Sequence, residues 1–304
     1  MSANPFIYFG GDSNMSGFEL ADDTLQCWKD IFGTYQAEPD FKDRVETKRI
    51  NHLYYIEFIQ AQWKEMERWT REQFQDYQRC QRDRHWTTIV CDKHGIKHHN
   101  DGLQGSSQEA MLHRAILSFD KFERAGNVPT LAIIQLTDPG RVTIYTEAQE
   151  GVLSKGFDRS FIINFDPRHA NLRNNAVAIQ QYCLAHMDVE SNIGNIIRWL
   201  TTLAITNSFF KEKTGRYPIY VGNRMNSTQF VNSASNNESV SSSPGYQSLV
   251  TQSRVHTVNH NIWNLSQGRT DNSMCPGGHH TPQTHANFAQ FIAPHLLQEL
   301  NNGS

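Results

Sequence analysis

Neither a disulfide framework nor a thiolate zinc site can be drawn from the cysteines of this sequence. There are five, Cys27, Cys80, Cys91, Cys183 and Cys275, widely spaced, odd in number and without a C-x-x-C pair. An excess of one charge is also missing. Lys plus Arg total 28 against 31 Asp plus Glu, for a formal net charge of -3, so global charge offers no attraction to nucleic acid or anionic lipid. No segment approaches the roughly 20 apolar residues of a membrane span. The start, Met-Ser-Ala-Asn-Pro-Phe-Ile-Tyr-Phe, has no basic stretch ahead of its short apolar run, and the expectation is an unprocessed, soluble, cytoplasmic chain. No internal repeat is visible. N-x-[ST] triplets at Asn226, Asn237 and Asn264 carry little weight in stretches so rich in Asn and Ser.

The 304 residues are enough for a well-buried core, and the expected organisation is one elaborated domain over 1–304. Phe6 to Phe9 is a short apolar and aromatic run stopped by Gly10-Gly11, which reads as a buried strand ending in a tight turn. Thr87 to Cys91, Leu131 to Leu136 and Tyr217 to Val221 read as further buried strands. The stretches between them are long enough for crossover helices, so a mainly parallel α/β sheet is expected. The clearest helix runs from about Val189 to Lys213, with Ile193, Ile196, Ile197, Leu200, Leu203 and Ala204 on one face. Asp188 suits its start and Gly215 its end. Residues 34–84, clearest over Asn51 to Arg84, read as a helical insertion, and 226–254 as a Ser/Asn-rich loop.

Three short segments carry chemistry. Gly11-Asp12-Ser13-Asn14-Met15-Ser16-Gly17 directly follows the first strand. A serine at such a turn projects its hydroxyl at the C-terminal edge of the sheet, where open α/β folds bind ligands, and its own N–H can face a developing oxyanion. Asp101-Gly102-Leu103-Gln104-Gly105-Ser106-Ser107-Gln108 opens a helical run, with Ser106 or Ser107 as its cap and a glycine that admits close backbone approach. Gly277-Gly278-His279-His280-Thr281-Pro282 places two histidines before a C-terminal helix, for which Thr281 and Pro282 are a good cap and first-turn pair. Pro294 should end or kink that helix.

Together these segments resemble the SGNH/GDSL hydrolase superfamily. The resemblance implies a three-layer α/β/α, flavodoxin-like sheet, with Ser13 as nucleophile and His279 as general base, His280 being second choice. It implies that the Gly105 amide helps to hold the oxyanion. Asp12, Asn14 and Gln108 become candidate substrate-binding residues, Gln108 standing where some family members carry Asn. The chain departs from the family pattern in two places. Where an Asp commonly precedes the base by three residues stands Pro276, leaving a Ser–His dyad, or a triad completed by a carbonyl or by Asp271. After the Leu131 to Leu136 strand stands Thr137-Asp138-Pro139-Gly140-Arg141 instead of G-x-N-D, so Thr137 and Arg141 are the candidate donors to the oxyanion.

The implied activity is hydrolysis of a short-chain or acetyl O-acyl ester, small or carried on a carbohydrate. No cofactor, metal, nucleic acid or membrane partner is called for. Two other readings stand beside it. His94, His98, His99, Asp101, His279, His280 and His285 supply imidazole and carboxylate for a metal-dependent hydrolase, without an H-E-x-x-H or H-x-H-x-D spacing. A non-catalytic binding or structural protein would explain the missing Asn and Asp blocks.

Overall fold

The computed structural model describes residues 5–11, 15, 17, 20–35, 58, 60–103, 106–137, 142–147, 160–165, 192–222, 244–253, 256–261 and 280–301. The chain divides into two compact units. One comprises Pro5–Asp12 and His99–Asn261; the other comprises Met1–Asn4, Ser13–His98 and Ile262–Ser304.

The main sheet is built from β1 (Phe6–Gly10), β2 (Lys97–Asn100), β3 (Leu131–Gln135), β6 (Ile219–Gly222) and β7 (His256–Asn261) in the order β2-β1-β3-β6-β7. Counting only its own strands, the order is 2-1-3-4-5, the flavodoxin-like, doubly wound arrangement whose ligand crevice lies where the order reverses between β1 and β3. Both β1 with β3 and β3 with β6 pair in parallel, Ile7 against Leu131 and Ile133 against Ile219. β6 and β7 are parallel as well. The expected α/β class with a mainly parallel sheet is what the fold shows. A separate antiparallel pair, β4 (Val142–Glu147) and β5 (Ser160–Phe165), has no counterpart in the sequence reading.

One face of the sheet is packed by α4 (Gln108–Arg124) and α5 (Asn192–Thr214). Met111, Ala115 and Phe119 from α4 and Trp199, Leu200, Leu203 and Phe210 from α5 close over Tyr8, Ala132, Ile134 and Tyr220. Phe119 is the hub, meeting Tyr8, Phe122, Phe209 and Phe210 edge-on at centroid distances of 5.3 to 5.6 Å. Such pairs add about 0.5–1.5 kcal/mol each beyond the area they bury. Ile7, Phe9, Leu131 and Ile133, which alternate onto the opposite face, are buried too. This is why β1 and β3 read as continuous apolar runs rather than alternating ones. α6 (Pro244–Gln252) joins α5 and β6 through Asn207, whose Nδ2 donates to the Gln252 carbonyl (2.9 Å) while its Oδ1 accepts from the Tyr220 hydroxyl (2.8 Å). Part of the stretch read as a Ser/Asn-rich loop is therefore helical.

The described residues of the second unit are mostly helical. It contains α1 (Gln26–Tyr35), a helical stretch over 60–66, α2 (Arg71–Asp83), α3 (Trp86–Lys93) and α7 (Pro282–Asn301). α3 corrects the expected Thr87 to Cys91 strand. A five-residue apolar run cannot separate a buried strand from a buried helix by periodicity alone, and the deciding signals lie at its ends. His85 accepts the Thr87 N–H as an unusual N-cap. Gly95, at φ +62°, closes a Schellman turn in which Ile96 N–H reaches the Cys91 carbonyl (2.8 Å) and Gly95 N–H the Asp92 carbonyl (3.3 Å). The true second strand, Lys97–Asn100, is an edge strand of polar residues, and such edges deter pairing with other chains. It carries no apolar signature for a sequence reading to find.

Thr281 Oγ1 accepts the Thr284 N–H (3.3 Å) at the start of α7, as its cap role requires. Pro294 neither ends nor breaks this helix, which runs on to Asn301. Pro294 faces solvent, where water can take the carbonyl that its ring leaves unbonded, while Phe288, Ile292, Ala293 and Leu296 stay buried on the other side. α7 docks on α3 partly through Trp86 and Phe288, edge-on at 5.1 Å.

Candidate functional site

In the sheet-bearing unit the exit of β1 is tied to the segment after β2. Asp101 N–H donates to the Phe9 carbonyl (2.8 Å) and Leu103 N–H to the Gly11 carbonyl (3.1 Å). Arg114, on α4, staples both segments: its Nε donates to the Asp101 carbonyl (3.0 Å) and its Nη2 to the Gly11 carbonyl (3.1 Å). Asn100 Oδ1 accepts the Gly102 N–H (2.9 Å), shaping the turn that follows. Ser107 caps α4 by accepting the Ala110 N–H (3.2 Å). Two candidates then meet directly, because Gln108 Oε1 accepts the Thr137 N–H (3.3 Å) just past the end of β3. Both side chains are buried. Gln108 Nε2 and Thr137 Oγ1 nevertheless have no hydrogen-bond partner, which is rare in native interiors.

A second polar group in this unit centres on Asp101. Asp101 takes His99 Nε2 at 2.7 Å and the Ser118 hydroxyl at 2.5 Å. Burial alone would raise the Asp101 pKa, but the His99 contact, Ser118 and Tyr8 outweigh it, and the group is held below its ordinary value. The Tyr8 hydroxyl is pushed well up, by burial first and by Asp101 next. His99 stacks on Tyr8 and meets Phe122 edge-on at 5.0 Å.

In the helical unit, Met15 is buried and Gly17 adopts φ +73°. A Cβ at Gly17 would stand 3.2 Å from Leu20 Cδ1, 3.3 Å from the Gln81 carbonyl and 3.4 Å from His85 Cδ2. The end of the Gly11 to Gly17 segment thus needs glycine for conformation and close approach alike. His85, His280 and His285 are all buried. The His85 and His285 rings lie 4.7 Å apart, and those of His285 and His280 6.4 Å. The first N–H groups of α3 donate to two of these rings, Trp86 N–H to His285 Nδ1 (3.4 Å) and Thr87 N–H to His85 Nδ1 (3.3 Å). An accepting Nδ1 fixes the proton of each neutral ring on Nε2.

Asp12, Ser13, Asn14, Gly105, Arg141 and His279 lie outside the described residues, as do Asp271 and Pro276. Among the described residues no three His, Cys, Asp or Glu side chains converge on a metal position. Among those invoked for one, His98 meets Thr88 Oγ1 (3.3 Å), His99 meets Asp101, and His285 accepts from Trp86. Sequence reasoning missed Arg114 and His85. A charged residue between Met111, Leu112 and Ala115 on a buried helix face was the available signal for Arg114; His85 left none.

The molecule is thus an α/β protein with a doubly wound parallel sheet. No protein-family model matches it and no curated protein does. Among solved structures it is similar to a candidate lipolytic protein of the G-D-S-L family from Desulfitobacterium hafniense DCB-2. That likeness has a TM-score of 0.40 and 9% identity over 96% of this chain and 99% of the other. Among the described residues no helix is long and apolar enough to cross a membrane.

Proposed function

We propose that the chain is a serine hydrolase acting on short-chain O-acyl esters, acetyl esters of small alcohols or carbohydrates foremost. One observation carries the reading: Gly11-Asp12-Ser13 immediately follows β1, the strand at which the order of a doubly wound sheet reverses. Parallel α/β sheets bind ligands outside that strand end, and a serine in the first turn there is suitably placed for attack.

In this reading Ser13 Oγ attacks the ester carbonyl carbon while His279, or its neighbour His280, takes the hydroxyl proton. The Ser13 and Gly105 amides face the developing oxyanion, with Asp12, Asn14, Gln108, Thr137 and Arg141 around the substrate. The C–O bond to the alcohol breaks and the alcohol leaves with the proton. Water then attacks the acyl-serine carbonyl and gives a proton to the same histidine; the bond from the acyl carbon to Ser13 Oγ breaks, Oγ takes that proton back, and the carboxylic acid is released.

The test is Ser13→Ala against p-nitrophenyl acetate, alongside fluorophosphonate labelling and peptide mapping. The variant should lose about 10³-fold or more in kcat, and the label should map to Ser13. Undiminished hydrolysis by the variant sinks the reading.

A further inference from the structure

We propose that Arg114 is a positioning residue for the reaction: by clamping two main-chain carbonyls it holds the segment that runs into Ser13 and the segment that runs into Gly105 in one fixed arrangement. Arg114 stands on α4, a helix of 17 residues. Its Nη2 donates to the Gly11 carbonyl (3.1 Å) and its Nε to the Asp101 carbonyl (3.0 Å). The Gly11 carbonyl also accepts the Leu103 N–H (3.1 Å). Ser13 follows Gly11 by two positions, and Gly105 follows Leu103 by two. The inference rests on the esterase reading, which gives Ser13 and Gly105 their roles.

Three residues of α4, spaced i, i+3 and i+7, present one face to these segments. Met111 comes first. A Cβ at Gly10 would stand 3.0 Å from Met111 Sδ and 3.1 Å from Tyr8 Cε1, inside the roughly 3.5–4.0 Å of ordinary contact, so the helix closes on the end of β1 because that residue is glycine. Arg114 follows with its two bonds. Ser118 completes the row, its hydroxyl donating to the Asp101 carboxylate (2.5 Å). Asp101 is thereby held through its N–H by Phe9, through its carbonyl by Arg114 and through its carboxylate by Ser118 and His99.

A guanidinium suits this task and an ammonium does not. The planar fork carries N–H donors in fixed directions, so one side chain binds carbonyls of two chain segments at once, whereas an ammonium is a single point charge on a flexible stem. Both bonds are charge-assisted, the stronger class. Arg114 acts through the backbone it holds, on how well the amides and the hydroxyl meet the transition state. Misplacement of that kind by about 1 Å costs on the order of 10²-fold in rate.

The experiment uses full-length wild type, Ser13→Ala, Arg114→Ala, Arg114→Lys and, as a control on the same helix, Arg124→Ala. It measures kcat and KM with p-nitrophenyl acetate, melting temperature, and hydrogen exchange of the peptides around Gly11 and Asp101. Arg114→Ala should lose about 10²-fold in kcat with KM within about twofold of wild type, and exchange should quicken in both peptides. Millimolar guanidinium should restore kcat and slow the exchange; ammonium should do neither. Arg114→Lys keeps the charge and covers the case in which the alanine variant does not fold: it should melt near wild type yet lose about tenfold or more in kcat. Arg124→Ala should match wild type throughout. The inference is overturned if Arg114→Lys keeps wild-type kcat, if the loss in either variant falls on KM alone, or if guanidinium restores the melting temperature but not kcat. Quickened exchange with kcat unchanged overturns it too, being the mark of a merely structural clamp. Ser13→Ala inactive beside fully active Arg114 variants overturns this inference and leaves the esterase reading standing; Ser13→Ala as active as wild type removes both.

Discussion

The two units bury polar groups in different ways. The helical unit encloses Asp22, Gln62 and Tyr77 and ties them together: the Tyr77 hydroxyl donates to Asp22, Gln62 Nε2 donates to Asp22 (3.1 Å), and Gln81 Nε2 donates to the Tyr77 oxygen (3.1 Å). Glu65 likewise accepts the Gln26 and Cys27 N–H groups (3.1 and 2.9 Å) at the start of α1, a carboxylate at the positive end of a helix. The sheet-bearing unit instead packs an apolar and aromatic core. At the carboxyl end of its strands it keeps Gln108 Nε2 and Thr137 Oγ1 buried and unpaired. The Asp22, Gln62 and Tyr77 network specifies a packing, as Asn207 does between α5, α6 and β6, whereas the Gln108 amide nitrogen and the Thr137 hydroxyl are buried without partners.

The strongest way to break this contrast is Phe119→Ala, which removes the hub of the apolar core. It should cost about 3–5 kcal/mol in urea unfolding, and a loss below 1 kcal/mol would mean the core is not organised around that ring. Tyr77→Phe probes the other unit with a single oxygen. Because it takes a donor from a buried carboxylate, about 1.5–3 kcal/mol should be lost in the same measurement. A neutral result would put the helical unit on the same apolar footing as the sheet.

Acid unfolding sharpens the comparison further. The Asp101 pKa is lowered in the folded protein, burial opposing and the His99, Ser118 and Tyr8 contacts prevailing. Its contribution to stability is therefore complete above the unfolded value of about 3.9. That contribution is lost as pH falls from there through the lower folded value. Asp101→Asn should flatten the acid limb of a stability-against-pH curve below about pH 4 and leave its shape near neutrality unchanged; an unaltered acid limb would contradict the cluster.

Helix caps come next, with one in each unit. Ser107→Ala in α4 and Thr70→Ala in the capping box of α2 should each cost about 1 kcal/mol. Thermal melts of the two variants check both. Smallest is Asp120→Ala, which breaks an exposed i,i+4 pair with Arg124 at 2.7 Å and should change stability by no more than about 0.5 kcal/mol.

How legible the fold was depended on how each residue's signal is written. β1, β3 and β6 were visible because strands buried on both faces are continuous apolar runs, and α5 because its apolar face repeats at the helical period. The Thr281-Pro282 start of α7 was equally readable, and so was a serine cap on α4, open between Ser106 and Ser107 until the fold showed Ser107, since capping is local chemistry. β2 was not, being a polar edge strand, and Thr87 to Cys91 was read as strand because its decisive cap is a histidine. In the candidate site, Thr137 could be named from its place after β3 and Gln108 from the resemblance of its helix-opening segment. Their hydrogen bond to each other could not, because it joins residues 29 positions apart.

By itself the sequence determined the α/β class, the strand that precedes Ser13, and the residue types available for its chemistry. These follow from periodicity and turn chemistry, which act over a few neighbouring residues. Only the tertiary structure decided which polar groups would find partners. Arg114 reaches Gly11 across 103 positions and Trp86 reaches His285 across 199, and no local pattern encodes such pairs. Whether a buried amide is satisfied depends on every element around it, so the unpaired donors of Gln108 and Thr137 came to light only once the chain was folded around them.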